Sequence, residues 1–438
     1  MKRCLNLLTF LLLSFTTGVF AQESNNPIDT LANYIQKMNT TVTTLSKLKI
    51  SGYIQFQAQQ ADSMGIKSMA GGNFGANQNN RFGVRRGRIK FAYAGTLSNY
   101  VIQFDVTEKG FATKDVYANF TDPWMQAFTI QGGVFNRPFG YEISFSSSQR
   151  ESPERSRYTQ TLFPQERDLG AMLTFQMPKA SPWSFLKIDA GYFVGNGIGQ
   201  EFDNKKDFIG RISILKITPN EKIRYGLGLS YYNGGVYQAN LNSYKMWESD
   251  GIKGFYRDDT QTAKGAFAKR EYKGFDAQVS LESPIGITTL RGEYVMGFQP
   301  GQSGSSTSPN SGSTDFTATG YDTYIRNFNG GYFYFVQSIY HTPLTIAVKF
   351  DYYDPNTKIS GNDIGKTSTT ESAINTKATN ASDLKYTTVG LGLLYAVSTN
   401  VKFACYYDMV ENETSNNLKN YKNDLSDNVW TIRMQYKF

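Results

Sequence analysis

Cysteine and histidine are almost missing from this chain, with two of the first and one of the second in 438 residues. Cys4 falls inside a segment that reads as a leader, so Cys405 would stand alone and no intramolecular disulfide can form. The one histidine, His341, sits in the turn HTP between two alternating stretches. A Ser-His or His-Asp mechanism at the opposite rim therefore lacks its base, and the chain is read as not an enzyme, with no catalytic residue assigned. One histidine and one cysteine make no metal set, and turns such as GNDIG within 354–384 are ordinary loop chemistry. There is no phosphate-cradling loop, no nucleic-acid module and no cofactor motif. Proline is scarce, at 13 residues. Past the leader no apolar run reaches the roughly 18 residues a membrane-spanning helix needs.

The leader is MKRCLNLLTFLLLSFTTGVFAQ. Lys2 and Arg3 charge its start, Leu5–Phe15 is apolar but short, and Val19-Phe20-Ala21 is a small-residue cleavage pattern. Residues 1–21 are thus expected to be a signal peptide. Its removal lowers the formal charge from +8 to +6, a balance that by itself indicates no partner.

What is abundant is aromatic: 29 Tyr and 31 Phe, with 40 Gly. These residues alternate with polar ones at a period of two. In EKIRYGLGLSYY, Ile223, Tyr225, Leu227, Leu229 and Tyr231 share one face, opposite Arg224, Gly226, Gly228 and Ser230. In PLTIAVKFDYY, Leu344, Ile346, Val348, Phe350 and Tyr352 oppose Thr345, Lys349 and Asp351. The final NVWTIRMQYKF repeats the pattern and ends on Phe438. Each stretch is about ten residues, the length a tilted strand needs to cross hydrocarbon.

Sixteen such strands are predicted, at 49–59, 82–94, 99–107, 113–121, 125–135, 168–176, 184–195, 206–216, 221–232, 269–282, 286–297, 328–340, 343–353, 385–396, 400–410 and 428–438. Short connections, such as 95–99, 218–222 and 341–343, alternate with long ones at 60–81, 136–167, 233–268, 298–327, 354–384 and 411–427. The fold class that follows is all-β, a transmembrane antiparallel β-barrel over 48–438, exported to a bacterial outer membrane. Its apolar face meets lipid and lipopolysaccharide, and water and charged groups occupy its bore. Before it, Ile28, Leu31, Ile35, Met38, Val42 and Leu45 recur at spacings of three and four, so 22–47 is expected to be a short helical segment. Its weak helix formers, Asn39 to Thr44, leave open a coiled coil, a lone amphipathic helix or no order.

Two stretches carry the candidate site. In RRGRIKFAYA, Arg86, Arg88 and Lys90 share a face, a ladder of cations about 7 Å per step. In a confined pore such a ladder attracts anions. Alternation brings Lys187, Arg211, Arg224, Arg291, Lys349, Lys402, Arg433 and Lys437 inward as well. It also brings in Asp105, Asp115, Asp189, Asp276, Glu282, Glu293, Asp351 and Asp408. The lean is positive but mild, and Asp105 and Asp115 are placed to pair with the ladder. The second stretch is the connection 136–167, with Arg137, Arg150, Arg155, Arg157 and Arg167 against Glu142, Glu151, Glu154, Glu166 and Asp168. Equal and opposite charge makes it no anion magnet; arginine forks can brace such a loop against a wall.

The order of RFGVRRGRIKFAYAG, IQGGVFNRPFGYEISFSSS and PERSRYTQTLFPQERDLGAML resembles the phosphate-selective porin family, porins O and P. The resemblance covers roughly the first 150 residues after the leader and is weaker beyond. It implies a sixteen-stranded homotrimeric porin whose third loop, here 136–167, folds into the lumen as a constriction. Passive diffusion of small hydrophilic solutes is expected, and the cation ladder adds an expected preference for anions such as phosphate. The family's dense lysine lining is not evident here, which puts phosphate selectivity in doubt. The alternative is a surface barrel acting as an adhesin, or as the membrane partner of a binding protein, using the long loops at 233–268, 298–327 and 354–384.

Overall fold

The computed structural model describes residues 27–199, 201, 203–238, 242–249, 251–259, 265–308, 322–367 and 376–438; the leader read at 1–21 lies outside them. The chain divides into two compact units, Met1–Leu48 and Lys49–Phe438. The described part of the first holds helix α1 (Pro27–Ser46). Ile35, Met38, Val42 and Leu45 lie exposed along it.

The second unit is a closed sheet. Its strands are β1 (Leu48–Ala61), β2 (Asn80–Ala94), β3 (Ser98–Thr107), β4 (Gly110–Thr121), β5 (Phe128–Asn136), β6 (Arg167–Gln176), β7 (Leu186–Phe193), β8 (Asp207–Ile217), β9 (Ile223–Tyr237), β10 (Ser243–Ser249), β11 (Ile252–Arg257), β12 (Phe267–Ser283), β13 (Gly286–Gly301), β14 (Thr323–Ile339), β15 (Leu344–Asp354), β16 (Thr376–Lys377), β17 (Tyr386–Ala396), β18 (Val401–Asn412) and β19 (Val429–Lys437). Sixteen of them form the barrel, each bonded to its neighbours, and β19 returns to β1 from Tyr53↔Lys437 to Ala61↔Val429. Closure leaves the barrel wall no free edge, which is what lets a sheet satisfy its backbone in hydrocarbon.

Alternation sorts the faces as the sequence predicts. Ile54, Phe56, Leu227, Leu229, Ile346, Phe350, Trp430, Ile432 and Met434 are exposed on the outside. Their neighbours Gln55, Ser230, Lys349, Asp351, Thr431 and Arg433 are buried within.

Three strands lie outside the barrel and depart from the sequence reading of 233–268 and 354–384 as plain loops. β9 runs on to Tyr237, and β10 and β11 form a hairpin with Met246 opposite Phe255. β10 also lies parallel to the start of β14, Tyr244 beside Tyr324, and β11 pairs with the two-residue β16. One irregularity bears on the site. Between β3 and β4 the register shifts, Gln103 facing Asp115 and Phe104 facing Thr113, so Lys114 is left without a partner residue. That is a β-bulge, which breaks strict alternation.

Among the short turns, the one after β4 is tied by a single side chain. Asp122 Oδ1 accepts the backbone N–H groups of Trp124, Met125 and Gln126, and Oδ2 those of Ala127 and Phe128, at 2.7–3.2 Å. These bonds, that from Phe128 foremost, hold the carboxyl down at about 2. A depressed folded value means the turn keeps this support above the unfolded carboxylate range, near 3.9, and loses it as pH falls through about 2. Asp122→Asn is therefore expected to melt below wild type at pH 6, the gap closing as pH approaches 2; equal melting at pH 6 would contradict the reading.

Candidate functional site: the lumen and its constriction loop

Between β5 and β6 the chain turns inward over residues 137–166. Its two ends are stapled together: Arg137 N donates to Glu166 O at 3.2 Å, and its guanidinium reaches the carbonyls of Glu166 and Pro164 at 3.4 and 3.3 Å. The loop holds one short helix, α2 (Arg157–Leu162). Glu142 serves its start, accepting Ser156 N at 3.0 Å and the hydroxyls of Ser156 and Thr159 at 2.6 Å each. Arg155 donates to the carbonyls of Glu142, Ile143 and Phe145 at 3.1–3.2 Å and pairs with Glu166.

The wall clamps this loop at several heights. Glu154 meets three arginines, Arg85 at 2.8 Å, Arg86 at 2.7 Å and Arg433 at 3.0 Å. Glu293 Oε2 accepts the backbone N–H groups of Tyr141 and Glu142 at 3.0 and 3.1 Å. Ser230 Oγ accepts Gly140 N at 2.9 Å, Tyr334 bonds Ser152 at 2.6 Å, and Tyr53 bonds Ser147 at 2.5 Å. Glu151 pairs with Arg291.

One sector of the bore is dry. Phe139, Ile143, Tyr158, Leu162 and Phe163 of the loop pack on Tyr232, Tyr272, Phe328, Tyr332, Tyr334 and Tyr353 of the wall, each at most 5% exposed. Phe163 lies 5.0 Å from Phe139 and 5.7 Å from Tyr272, and Tyr158 stacks on Tyr332 at 6.3 Å. This corrects the sequence picture of water and charge throughout the bore. Tyr332 and Tyr334 face inward while Phe333 and Phe335 face outward, so β14 is aromatic on both sides. The inward rings bury large apolar area and fix the loop's seat.

The opposite sector stays open. A cavity of about 830 Å³ is lined by Lys90, Asp115, Lys187, Asp189, Arg211 and Asp276 among others, chiefly from β2 and β4–β8. A second, of about 570 Å³, lies against Asp105, Arg81, Arg85 and Glu108. Arg88 pairs with Asp105 of the second cavity at 3.6 Å. Arg167 pairs with Asp115 of the first at 2.9 Å and with Glu166 at 2.7 Å.

The predicted site residues now have positions. Arg86 and Arg88 face inward but are engaged, by Glu154 and Asp105. Arg211 is engaged by Asp276. Arg291, beyond Glu151, stacks on Phe145 at 4.5 Å and Tyr334 at 4.9 Å. Arg224 is exposed near the turn before β9. Lys90 lines the larger cavity with no hydrogen bond or ion pair among the described residues. In the loop, Arg137, Arg155 and Arg167 are braces, as described, while Glu151 and Glu154 are held by wall arginines, Arg291 and the trio Arg85, Arg86 and Arg433. Arg157 lies over the Tyr386 ring at 4.0 Å, and its backbone N–H donates to Asp351 at 3.3 Å. Arg150 is buried, and its guanidinium nitrogens have no hydrogen-bond partner among the described residues.

Alternation missed two contributors. Arg85 reaches the same carboxylate as its neighbour Arg86, so β2 departs from strict alternation there. Lys114 lies within electrostatic reach of Glu166, Arg88, Arg167 and Asp105, brought there by the bulge, and makes no hydrogen bond or ion pair among the described residues. No local sequence signal marks that bulge.

A closed sixteen-stranded antiparallel barrel, apolar outside and crossed by a clamped inward loop, is a barrel of the outer-membrane porin type. Solved structures share the fold. The outer membrane channel DcaP of Acinetobacter baumannii superposes with a TM-score of 0.52 at 10% identity, covering 89% of this chain and 97% of that one. OprB of Pseudomonas putida gives 0.50 at 9%, covering 91% and 96%. No protein-family model matches the sequence, and no curated relative matches it either.

Proposed function

We propose that this chain is an outer-membrane porin giving passive diffusion to small hydrophilic solutes, with a preference for anions, phosphate among them. The observation that carries the preference is the lining of the 830 Å³ cavity. Lys90, Arg137, Lys179, Lys187 and Arg211 face it against Asp115, Asp189 and Asp276. Each of those three carboxylates is already paired, with Arg167, Lys187 and Arg211, which leaves Lys90 and Lys179 without a partner and Arg137 bonded only to backbone carbonyls among the described residues. A low-dielectric wall focuses such a field.

Reversal potentials across a planar bilayer under a salt gradient, in chloride and in phosphate, test the reading. They are expected to have the sign of anion preference, and Lys90→Gln with Lys179→Gln to move them toward zero. A cation-selective sign, or no change in the double variant, would defeat the preference. The same recordings test the homotrimer that the family resemblance implies, through conductance steps grouped in threes. Export by a cleaved leader and a periplasmic helical segment over 22–47 belong to the same proposal; the exposed apolar stripe of α1 supports the latter.

A second reading has one observation in its favour. Outer-loop residues reach the constriction loop: Ser308 N donates to Thr161 O at 2.8 Å, and Gln160 donates to Met69 O at 3.0 Å. A barrel capped in this way would serve as an adhesin or as the partner of a binding protein, and would show no stable conductance steps.

A further inference from the structure

The 830 Å³ cavity is not charged throughout. Tyr117 of β4, Phe135 of β5, Met172 of β6 and Tyr141 of the constriction loop line it as well. Phe135 belongs to the dry sector, and Tyr117 and Met172 pack against that sector while staying partly exposed. Tyr117 meets Phe135 edge-on at 6.0 Å, and Tyr141 stacks on Phe145 at 5.4 Å. The apolar packing of the loop thus runs out to the cavity surface and ends there as an open rim. Beside that rim the wall is bare. Gly133 lies opposite Tyr117 with φ +127°, and a Cβ on it would fall 2.2 Å from Val116 O, so no side chain fills the space next to the ring.

An unpaired cation stands close by. Lys90 is in register with Gln103, and Gln103 with Asp115, so Lys90 lies two strands from the run that carries Tyr117, about 10 Å across the wall. Asp115 between them is taken up by Arg167. A hydrated inorganic phosphate gains nothing from an apolar rim, whereas an anion with an apolar body can bury that body there. We propose that the preferred permeants are organic anions in which one phosphate or carboxylate is joined to an apolar body of about ring size. The head lies at Lys90 and the body against Tyr117, Met172 and Tyr141. This rests on the porin reading above and narrows its solute class.

Block of the chloride current through single channels of the full chain in a planar bilayer provides the test. Methyl phosphate and phenyl phosphate present the same head and differ in the body. Burying about a third of a ring side chain's area, ~60 Å², is worth about tenfold in affinity. Phenyl phosphate is therefore expected to half-block at about a tenth of the methyl phosphate concentration. Tyr117→Asn with Met172→Ser should bring that ratio near one without moving the methyl phosphate value, and Tyr117→Phe should keep it. Lys90→Gln should weaken block by both esters alike. Tyr141→Ser, on the loop, should also lower the ratio, and it serves where the wall variant fails to assemble. Equal half-blocking concentrations in the wild type would overturn the inference and leave anion transport standing. So would a ratio that survives in Tyr141→Ser and in Tyr117→Asn with Met172→Ser. Block by neither ester, in a channel of cation-selective sign, would bring down the transport reading as well.

Discussion

Replacing Glu154 with glutamine is expected to free the middle of the constriction loop and raise single-channel conductance. Among the described residues Glu154 is the only carboxylate that Arg85, Arg86 and Arg433 share, and both Arg86 and Arg433 are buried. Removing one partner from a buried ionic cluster costs roughly 3–5 kcal/mol, because the charges left behind have nowhere to go. Burial alone would push the Glu154 carboxyl up; the arginines overrule it and hold it well below the usual carboxylate range. Its stabilising charge is therefore present throughout neutral and mildly acid pH, and the variant's effect should not vary between pH 8 and 5. Current recordings and limited proteolysis of the detergent-solubilised protein report on the loop together. Unchanged conductance with unchanged resistance to cleavage near 147–155 would refute the clamp.

Gly140→Val should come next in effect. Gly140 has φ +63°, where a side chain is strained by about 1–2 kcal/mol. A Cβ there would also fall 1.7 Å from Glu293 Oε1. Moving that carboxyl group breaks its bonds to Tyr141 N and Glu142 N, each worth about 0.5–1.5 kcal/mol. Gly132→Ala is the matched control. Gly132 faces outward between Ala118 and Ala171, and a Cβ on it meets nothing within 4 Å. That substitution should stay within about 0.5 kcal/mol of wild type. Thermal midpoints of the two variants in detergent decide the matter; equal midpoints would remove Glu293 from the loop's anchorage.

Period-two alternation made the barrel legible because each wall residue has only two choices, lipid or lumen. Predicted and observed strands agree closely over most of the wall: 428–438 was expected and Val429–Lys437 is found. The loop hairpin was missed although its signal is present. Asp250-Gly251 separates SYKMWES from IKGFYR, and Asp-Gly between strand-forming runs favours a tight hairpin turn. The site was harder to read, since a sequence displays charges but not their pairing. Arg86, Arg88 and Lys90 look alike on one face, yet the first two are taken up by Glu154, 68 residues away in the chain, and by Asp105 on the next strand. Lys114 was invisible because a bulge is a property of two strands together. The inward rings of β14 could not be told from an outward girdle, because alternation says which residues share a face but not what will fill the bore.

The lopsided filling of the barrel divides the labour of its circumference. From β9 to β15 the inner wall is committed to holding the loop, so substitutions there will surface as poor assembly or low yield. From β2 to β8 the wall borders the open cavities, and, with Arg85 and Arg86 of the clamp set aside, changes at cavity-lining residues such as Lys90 and Lys187 alter what passes while leaving the scaffold intact. A screen for altered permeability should be aimed at that half, and a screen for tougher barrels at the other.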